Sequence, residues 1–554
     1  MAILEPPLVK TPQAKTPLPC EPAATFDQID LFSDPALASF HPAVREWFTR
    51  KFPLGPTPPQ VDAWPSIAAG NHTLVAAPTG SGKTLSAFLV GIDQLYKRHG
   101  ANTLLPNTTH VLYVSPLKAL AVDISENLEG PLTEIAEIAQ AMGLDAPEIR
   151  VGVRSGDTTS SARASMIRRP PQIIVTTPES LYLLLTAAKS REVLRTVGTV
   201  IVDEIHAVAR DKRGSHLSLT LERLDHVCEE PPVRIGLSAT QRPIETIARL
   251  LVGSRTRPAP RAHLANPTDH PDGKNTDDKY TDGKYTDGKY TDDKYTVGES
   301  VPDCVPDCVP DCVIVDSGHQ RELDLALELP ESELEAVAPA EQSGEILDRI
   351  TEMVLEHHTT IVFVNTRRMA ERIAHQLAER LGDDAVAAHH GSLSKDRRYR
   401  IERRLRAGEL KALVATASLE LGIDIGPVEL VCQIGSPRSL ATFLQRVGRS
   451  GHSRHGTPKG RLFPMTRDEL AECCALMAGV LAGRLDAVHP PDAPLDILAQ
   501  QIVAETAAER WDESALFELV KKSGIYANLP RETFDEVVEF VNEGVVTGRG
   551  QRAS

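Results

Sequence analysis

From Leu74 onward the chain alternates short apolar runs with longer amphipathic stretches. LVAAP, HVLYVSP, QIIVTTP, VGTVIVDE and RIGLSAT are rich in Val, Ile and Leu and are too short for helices. Stretches such as LSAFLVGIDQL carry apolar positions at helical spacing. This alternation predicts an α/β unit, a parallel sheet wrapped by helices, over residues 36–253. The pattern resumes with TTIVFVN, AVAAHHG, KALVATAS and LVCQIGSP, which predicts a second unit of the same kind over 321–490. PLDILAQQIVAETAAE and the helical stretches after it predict a third, partly formed helical unit over 491–554, with no obvious closing element.

Two segments break the rhythm. Residues 1–35 are Pro-rich and aperiodic and read as a disordered leader. Residues 254–320 hold TDDKY, TDGKY, TDGKY, TDDKY and three copies of VPDC, repeats too short to bury a face, and read as an insert or linker. Cys304, Cys308 and Cys312 recur there because the tetrad recurs, and they lack a clear fourth ligand.

Composition narrows the class. At 554 residues the chain exceeds one core. It has no apolar run long enough to span a bilayer and no secretory leader, so a cytoplasmic protein without a membrane partner is expected. The eight cysteines form no small-scaffold disulfide pattern. A formal charge of -16 argues against a polyanionic partner, yet residues 389–461 hold fourteen Lys and Arg against six Asp and Glu. That segment suits phosphates.

The chemistry begins at Ala77-Pro78-Thr79-Gly80-Ser81-Gly82-Lys83-Thr84, between a predicted strand and a predicted helix. It departs from the G-x-x-x-x-G-K-[ST] loop only in Ala for the first Gly. Its glycines let backbone N–H groups cradle phosphates, Lys83 reaches the β and γ phosphates of ATP, and Thr84 binds Mg²⁺. Asp203 and Glu204 close the strand Val200-Ile201-Val202, where Asp203 can hold Mg²⁺ and Glu204 can deprotonate the attacking water. Gln445-Arg446-Val447-Gly448-Arg449 lies in the second unit, and Arg446 and Arg449 can supply positive charge to the transition state. Hydrolysis would then require both units to close on one nucleotide.

With these residues in place, the chain resembles superfamily 2 helicases and, more narrowly, the large-helicase-related (Lhr) family, over about residues 40–490. The resemblance implies two RecA-like domains followed by a winged-helix-like segment. It implies that Gln60 selects ATP, and that His206, Ser238, Ala239 and Thr240 couple hydrolysis to strand movement. By the same resemblance Ser115, Pro116, Lys118, Arg154, Gly156, Asp157, Thr177, Pro178 and Glu179 contact nucleic acid from the first unit. Asn365, Thr366, Arg367, His390, Gly391 and Thr416 do so from the second, and Gly422 and Asp424 reach the nucleotide. Small hydroxyls and backbone N–H groups hold sugar and phosphate without reading bases, so binding is expected to be independent of sequence.

The resemblance implies 3′-to-5′ movement on single-stranded DNA, unwinding of DNA or DNA–RNA duplexes, and a role in repair. An RNA helicase, a dead ATP-binding scaffold and an ATPase unable to unwind remain alternatives. Three departures stand out: His452 replaces a third arginine, the insert near 254 replaces a short interdomain connection and is expected to loosen coupling, and the chain looks truncated beside Lhr-type proteins.

Overall fold

The computed structural model describes residues 35–78, 80–103, 106–258, 308–318, 322–420, 426–451, 456–546 and 552–553. Thr79, Gly422 and Asp424 lie outside the described residues, as do His452 and Cys304.

The first sheet is built from β1 (Thr73–Ala76), β2 (Val111–Val114), β3 (Val151–Arg154), β4 (Ile173–Thr176), β5 (Thr199–Val202) and β6 (Val233–Ser238). Beyond β6 a short antiparallel clasp joins β7 (Thr256–Pro258) to β8 (Cys308–Pro310), and β9 (Val313–Asp316) returns to the sheet. The order is β3-β4-β2-β5-β6-β1-β9, with every pairing parallel. β1, β2, β4 and β5 are buried at every position, which is why they read as unbroken Val, Ile and Leu runs. Helices cover both faces, one through Trp47, Trp64 and Phe88, which stacks on Tyr113 of β2, the other through Leu181, Leu217, Leu221 and Leu251.

The second sheet contains β10 (Asp324–Leu327), β11 (Thr360–Phe363), β12 (Val386–His389), β13 (Ala412–Ala415), β14 (Leu430–Ile434) and β15 (Lys459–Phe463). Its order is β10-β15-β14-β11-β13-β12, again all parallel. Two RecA-like parallel-sheet domains are thus present. Sequence reading missed β3, β9, β10 and β15, which are short, partly buried or at sheet edges, where the apolar run is too brief to stand out.

β9 changes the expected role of the repeats. The 254–320 segment was expected to lie between domains, but its ends are clasped together at β7 and β8, and Val313–Asp316 then pairs with β1 at Thr73–Ala76. The repeat stretch therefore leaves from and returns to the first domain. The link to the second sheet is residues 317–323, so the insert adds no length to the interdomain tether and has no entropic lever on closure.

The third unit comprises helices Leu495–Ala508, Glu513–Lys521 and Arg531–Glu543, closed by the antiparallel pair β16 (Val545–Val546) and β17 (Arg552–Ala553). This is a winged-helix arrangement. It packs on the first domain, not the second: Leu219 joins its core of Leu498, Ile502, Phe517, Tyr526 and Phe534. Arg223, 2% exposed, pairs with Glu505 and donates to Gln501 Oε1 at 2.6 Å. Gly253 and Gly524 let the backbones close up: a Cβ on Gly253 would stand 2.1 Å from the Lys522 carbonyl oxygen. The chain also leaves the second domain before residue 490, since Val488 is buried in the first domain's core and its N–H donates to the Arg242 carbonyl at 2.9 Å.

Candidate nucleotide and strand clefts

The strand order brings three separate motifs to one place. β6 lies between β5 and β1, so the carboxyl ends of all three sit side by side, where α/β folds bind ligands. From β1 come the glycine loop and helix Lys83–Gly100, from β5 come Asp203 and Glu204, and from β6 come Ser238, Ala239 and Thr240. The loop is fixed to its neighbour by the Ala77 N–H, which donates to the Ser238 carbonyl at 3.1 Å.

Gly80 and Gly82 have φ of 80° and 82°, the left-handed region that opens the loop before the helix begins. A Cβ on Gly82 would fall 2.7 Å from Gln60 Nε2. Gln60 is itself buried; Nε2 donates to the Gly82 carbonyl at 3.2 Å and Oε1 accepts from the Thr57 N–H at 2.9 Å. Lys83, 5% exposed, opens the helix, donates to the Ala77 carbonyl and stands 3.7 Å from Glu204 Oε1. Ser81 Oγ is buried without a partner among the described residues, at the position where a phosphate oxygen would satisfy it. Pro78 borders a small hollow shared with Leu444 and Gln445, and Thr84 lies on the first turn of the same helix.

Asp203 accepts from the Tyr113 hydroxyl at 2.5 Å and from the Glu204 N–H at 2.9 Å. Burial and the neighbouring Glu204 charge push its carboxyl up, to about 7. Burial pulls Glu204 the same way, but the positive charges of Lys83 and Arg449 outweigh it and hold Glu204 below the usual carboxylate range. Glu204 also sits at φ 45°, a strained turn for a non-glycine residue that aims its carboxylate between Lys83 and His206.

His206 is the pivot. Burial, opposed by Glu204, pulls its pKa down to about 4, so the ring is neutral. Nδ1 accepts from the Ala239 N–H at 3.0 Å, which puts the ring proton on Nε2. The side-chain Nε2 of Gln445 lies 2.6 Å from that nitrogen, and the contact becomes a hydrogen bond when the amide turns over to present Oε1 to the N–H. The first domain's loop after β6, the acidic motif and the second domain are thereby joined through one imidazole. Thr240 Oγ1 is buried beside this junction without a partner among the described residues.

The two arginines expected near the phosphates occupy different surroundings. Arg449, 2% exposed, donates to the Glu420 carbonyl at 3.1 Å and acts electrostatically on Glu204 across the cleft. Arg446 faces into its own domain: it pairs with Glu420, donates to Gln433 Oε1 at 2.5 Å and stacks over Phe363. Of the two, only Arg449 faces the acid of the first domain.

On the other side of the His206–Gln445 contact a cleft of about 740 Å³ runs between the domains. Asn365, Arg367, Gly391 and Thr416 line it together with Arg210 and Arg398. Asn365 Nδ2 donates to the Ser436 carbonyl at 2.9 Å, Thr366 caps helix Arg367–Leu381, and Arg367 donates to Ser392 Oγ at 2.6 Å. His390 binds Glu371 at 2.7 Å and is held just behind that wall.

The first-domain candidates are set in a row along β2, β3 and β4. Thr177 caps helix Pro178–Thr186, Ser115 Oγ donates to the Leu117 carbonyl, and helix Lys118–Ala141 follows. Arg154 donates to the Ser155 carbonyl, and Asp157 N–H donates to Ser155 Oγ. Sequence reading missed the two arginines that pin this row. Arg213 donates to the Pro116 carbonyl and to Glu179, both at 2.8 Å, while Arg163 donates to the carbonyls of Thr158 and Gly156. Neither lies in a motif; each is a basic residue on a helix whose targets are fixed only by the fold.

Comparison with known proteins agrees with this geometry. The DEAD/DEAH box helicase model matches residues 57–248, the helicase conserved C-terminal domain 343–454, and the large helicase-related protein winged helix domain 478–549. The Lhr helicase/probable uracil glycosylase of Mycolicibacterium smegmatis is 40% identical over 92% of this chain and 32% of its own length. ATP-dependent helicase Lhr-Core protein 2 of Thermococcus barophilus is 40% identical over 90% of this chain and 52% of its own. The solved structure of Mycobacterium smegmatis helicase Lhr bound to ssDNA and AMP-PNP superposes with a TM-score of 0.75 at 43% identity, covering 91% of this chain and 58% of that one. The chain spans about a third to a half of the length of these curated relatives. Two RecA-like domains in one order of motifs, an acid–histidine pivot answered by a glutamine and an arginine from the second domain, and a winged helix after them place the chain in the large helicase-related (Lhr) family of DEAD/DEAH box helicases.

Proposed function

We propose that the chain hydrolyses ATP at the junction of its two RecA-like domains and uses the cycle to move along a single strand of nucleic acid held in the wider cleft. The observation that carries this is the His206–Gln445 contact, which lies between the phosphate loop and the strand cleft and touches both. Gln60 retains one free amide hydrogen and one free lone pair beyond its bonds to Gly82 and Thr57, enough to read the adenine edge. The orphaned Ser81 hydroxyl, the loop N–H groups and Lys83 receive the phosphates. Thr84 and Asp203 would hold Mg²⁺, which supplies charge neutralisation on the phosphates.

Glu204, kept ionised by its cationic neighbours, takes the proton of the attacking water. Arg449 stabilises charge on the γ phosphate only when the second domain is closed against the first. Closure brings Asn365, Arg367 and Thr416 onto the strand opposite Ser115, Arg154 and Thr177, and reopening after hydrolysis releases one grip before the other. Single-stranded DNA is the proposed track, since a 43% identical relative is solved with it. Movement from 3′ to 5′, unwinding of DNA or DNA–RNA duplexes, a repair role and a cytoplasmic location complete the proposal; among the described residues no helix is long and apolar enough to cross a membrane.

The test is ATP turnover by the purified chain titrated with single-stranded DNA and RNA of equal length, with Lys83→Ala as blank. Greater stimulation by DNA supports the reading. Greater stimulation by RNA makes the protein an RNA motor, and no stimulation by either removes the motor altogether.

A further inference from the structure

Helix Lys395–Arg406, KDRRYRIERRLR, is the most basic element of a chain whose net charge is -16. Its two sides do different things. Arg398 and Glu402 face the strand cleft. Arg397, Arg400, Ile401 and Arg404 fall at the spacing that puts them on one other face, and together with Ala387 and Ala388 of β12 they line a separate groove of about 290 Å³.

β12 is the edge of the second sheet, so among the described residues its outer N–H and C=O groups have no neighbouring strand. Arg397, Arg400 and Arg403 are exposed, and none is in an ion pair among the described residues. Arg404 is partly engaged, with Glu409 Oε2 at 3.4 Å and the Asp384 carbonyl at 2.7 Å. A buried helix face is not expected to carry three guanidinium groups, and a solvated face has no need of a groove.

We infer that this groove is a second nucleic-acid binding site, an extension of the strand path in which the sugar–phosphate backbone lies between the Arg397–Arg400–Arg404 stripe and the open edge of β12. Two observations select a nucleic acid over an acidic protein segment. From Arg397 to Arg404 the stripe spans eight residues, roughly 10 Å of helix, long enough to touch more than one phosphate of an extended strand. The groove also lies beside the cleft on the same helix, since Arg398 on the cleft face is the sequence neighbour of Arg397 on the groove face. A strand that leaves the cleft around this helix would meet the stripe. The inference rests on the proposal that the cleft holds a strand.

The experiment compares the full chain with an Arg397→Glu/Arg400→Glu double variant and an Arg397→Lys/Arg400→Lys control. Binding is measured by fluorescence anisotropy over a salt series, with one DNA strand that fills only the cleft and one roughly twice as long. The site predicts unchanged binding of the short strand in all three proteins. It predicts long-strand affinity lowered about tenfold in the glutamate variant, with the slope of log affinity against log salt reduced by about 1.4 for two lost phosphate contacts, and recovery with lysine. Equal long-strand affinity in wild type and glutamate variant overturns the inference; if a polyglutamate peptide then binds wild type and not the variant, the groove belongs to an acidic protein. Failure of wild type to bind either strand instead overturns the proposed function on which the site rests.

Discussion

Gln445 of the second domain reaches His206 of the first at 2.6 Å, while the other nitrogen of the same ring accepts from the Ala239 N–H. The imidazole is neutral and its tautomer is fixed by Ala239, so it has one proton to offer, which the Gln445 amide accepts once its oxygen is turned toward the ring. Movement of either domain is therefore felt at the residue that also lies 3.4 Å from Glu204.

Breaking this contact should uncouple the two clefts. Gln445→Ala is expected to lower strand-stimulated ATP turnover on the order of a hundredfold, the scale of a misplaced catalytic constellation. Turnover without strand and nucleotide binding should change little, since the phosphate loop is built wholly in the first domain. Steady-state ATPase with and without a saturating strand, beside nucleotide titration, checks this; equal loss of stimulated and unstimulated rates would make the contact structural.

Arg446 and Arg449 should fail in different ways. Arg446→Ala leaves Glu420, whose side chain is 15% exposed and lines the interdomain cleft, without its guanidinium partner and is expected to cost about 1–3 kcal/mol in denaturant unfolding. A variant as stable as wild type would show that the Glu420 pair contributes nothing.

The winged helix should behave as part of the first domain. Arg223→Ala takes from Glu505, 1% exposed, the nearer of its two arginines, leaving Arg191 at 3.8 Å, and is expected to destabilise the docked unit by about 3 kcal/mol. Limited proteolysis reads it as faster cleavage around residues 482–494, with the second domain's fragment unaffected.

Acid should destabilise the first domain before carboxylates protonate. His72, His110, His206 and His216 are each pulled down to about 4 by burial, from an ordinary value of 6.5. Between those values the unfolded chain binds protons that the folded chain refuses, so their contribution is fully present above pH 6.5 and is lost as pH falls toward 4. Each histidine contributes a slope on the order of 1 kcal/mol per pH unit. Asp203, pushed up by burial, works the opposite way and removes about one histidine's worth. Unfolding midpoints measured from pH 7 to 5 should fall steadily; a flat profile contradicts the burial of these rings.

The parts legible in sequence were those whose chemistry demands contiguous residues. The phosphate loop needs Gly80, Gly82 and Lys83 in one turn, and a carboxylate pair at a strand end needs Asp203 beside Glu204, so both announce themselves. β1, β2, β4 and β5 were equally plain because burial on both faces forces continuous apolar runs. What stayed hidden depends on long-range return of the chain. Val313–Asp316 resembles a linker until β1 is there to receive it, and Val488 until Arg242 is. Arg213 and Arg163 act through carbonyls that only the fold brings within reach, and the inward turn of Arg446 follows from Glu420 and Gln433 on neighbouring segments.

The central claim is that one nucleotide is worked on by residues from both domains. Its most direct test is Arg449→Ala, a residue of the second domain, read at once by ATP affinity and by strand-stimulated turnover. ATP affinity within a few-fold of wild type and turnover lowered by about a thousandfold or more are expected, as for a lost arginine finger. Turnover close to wild type in this variant would contradict it.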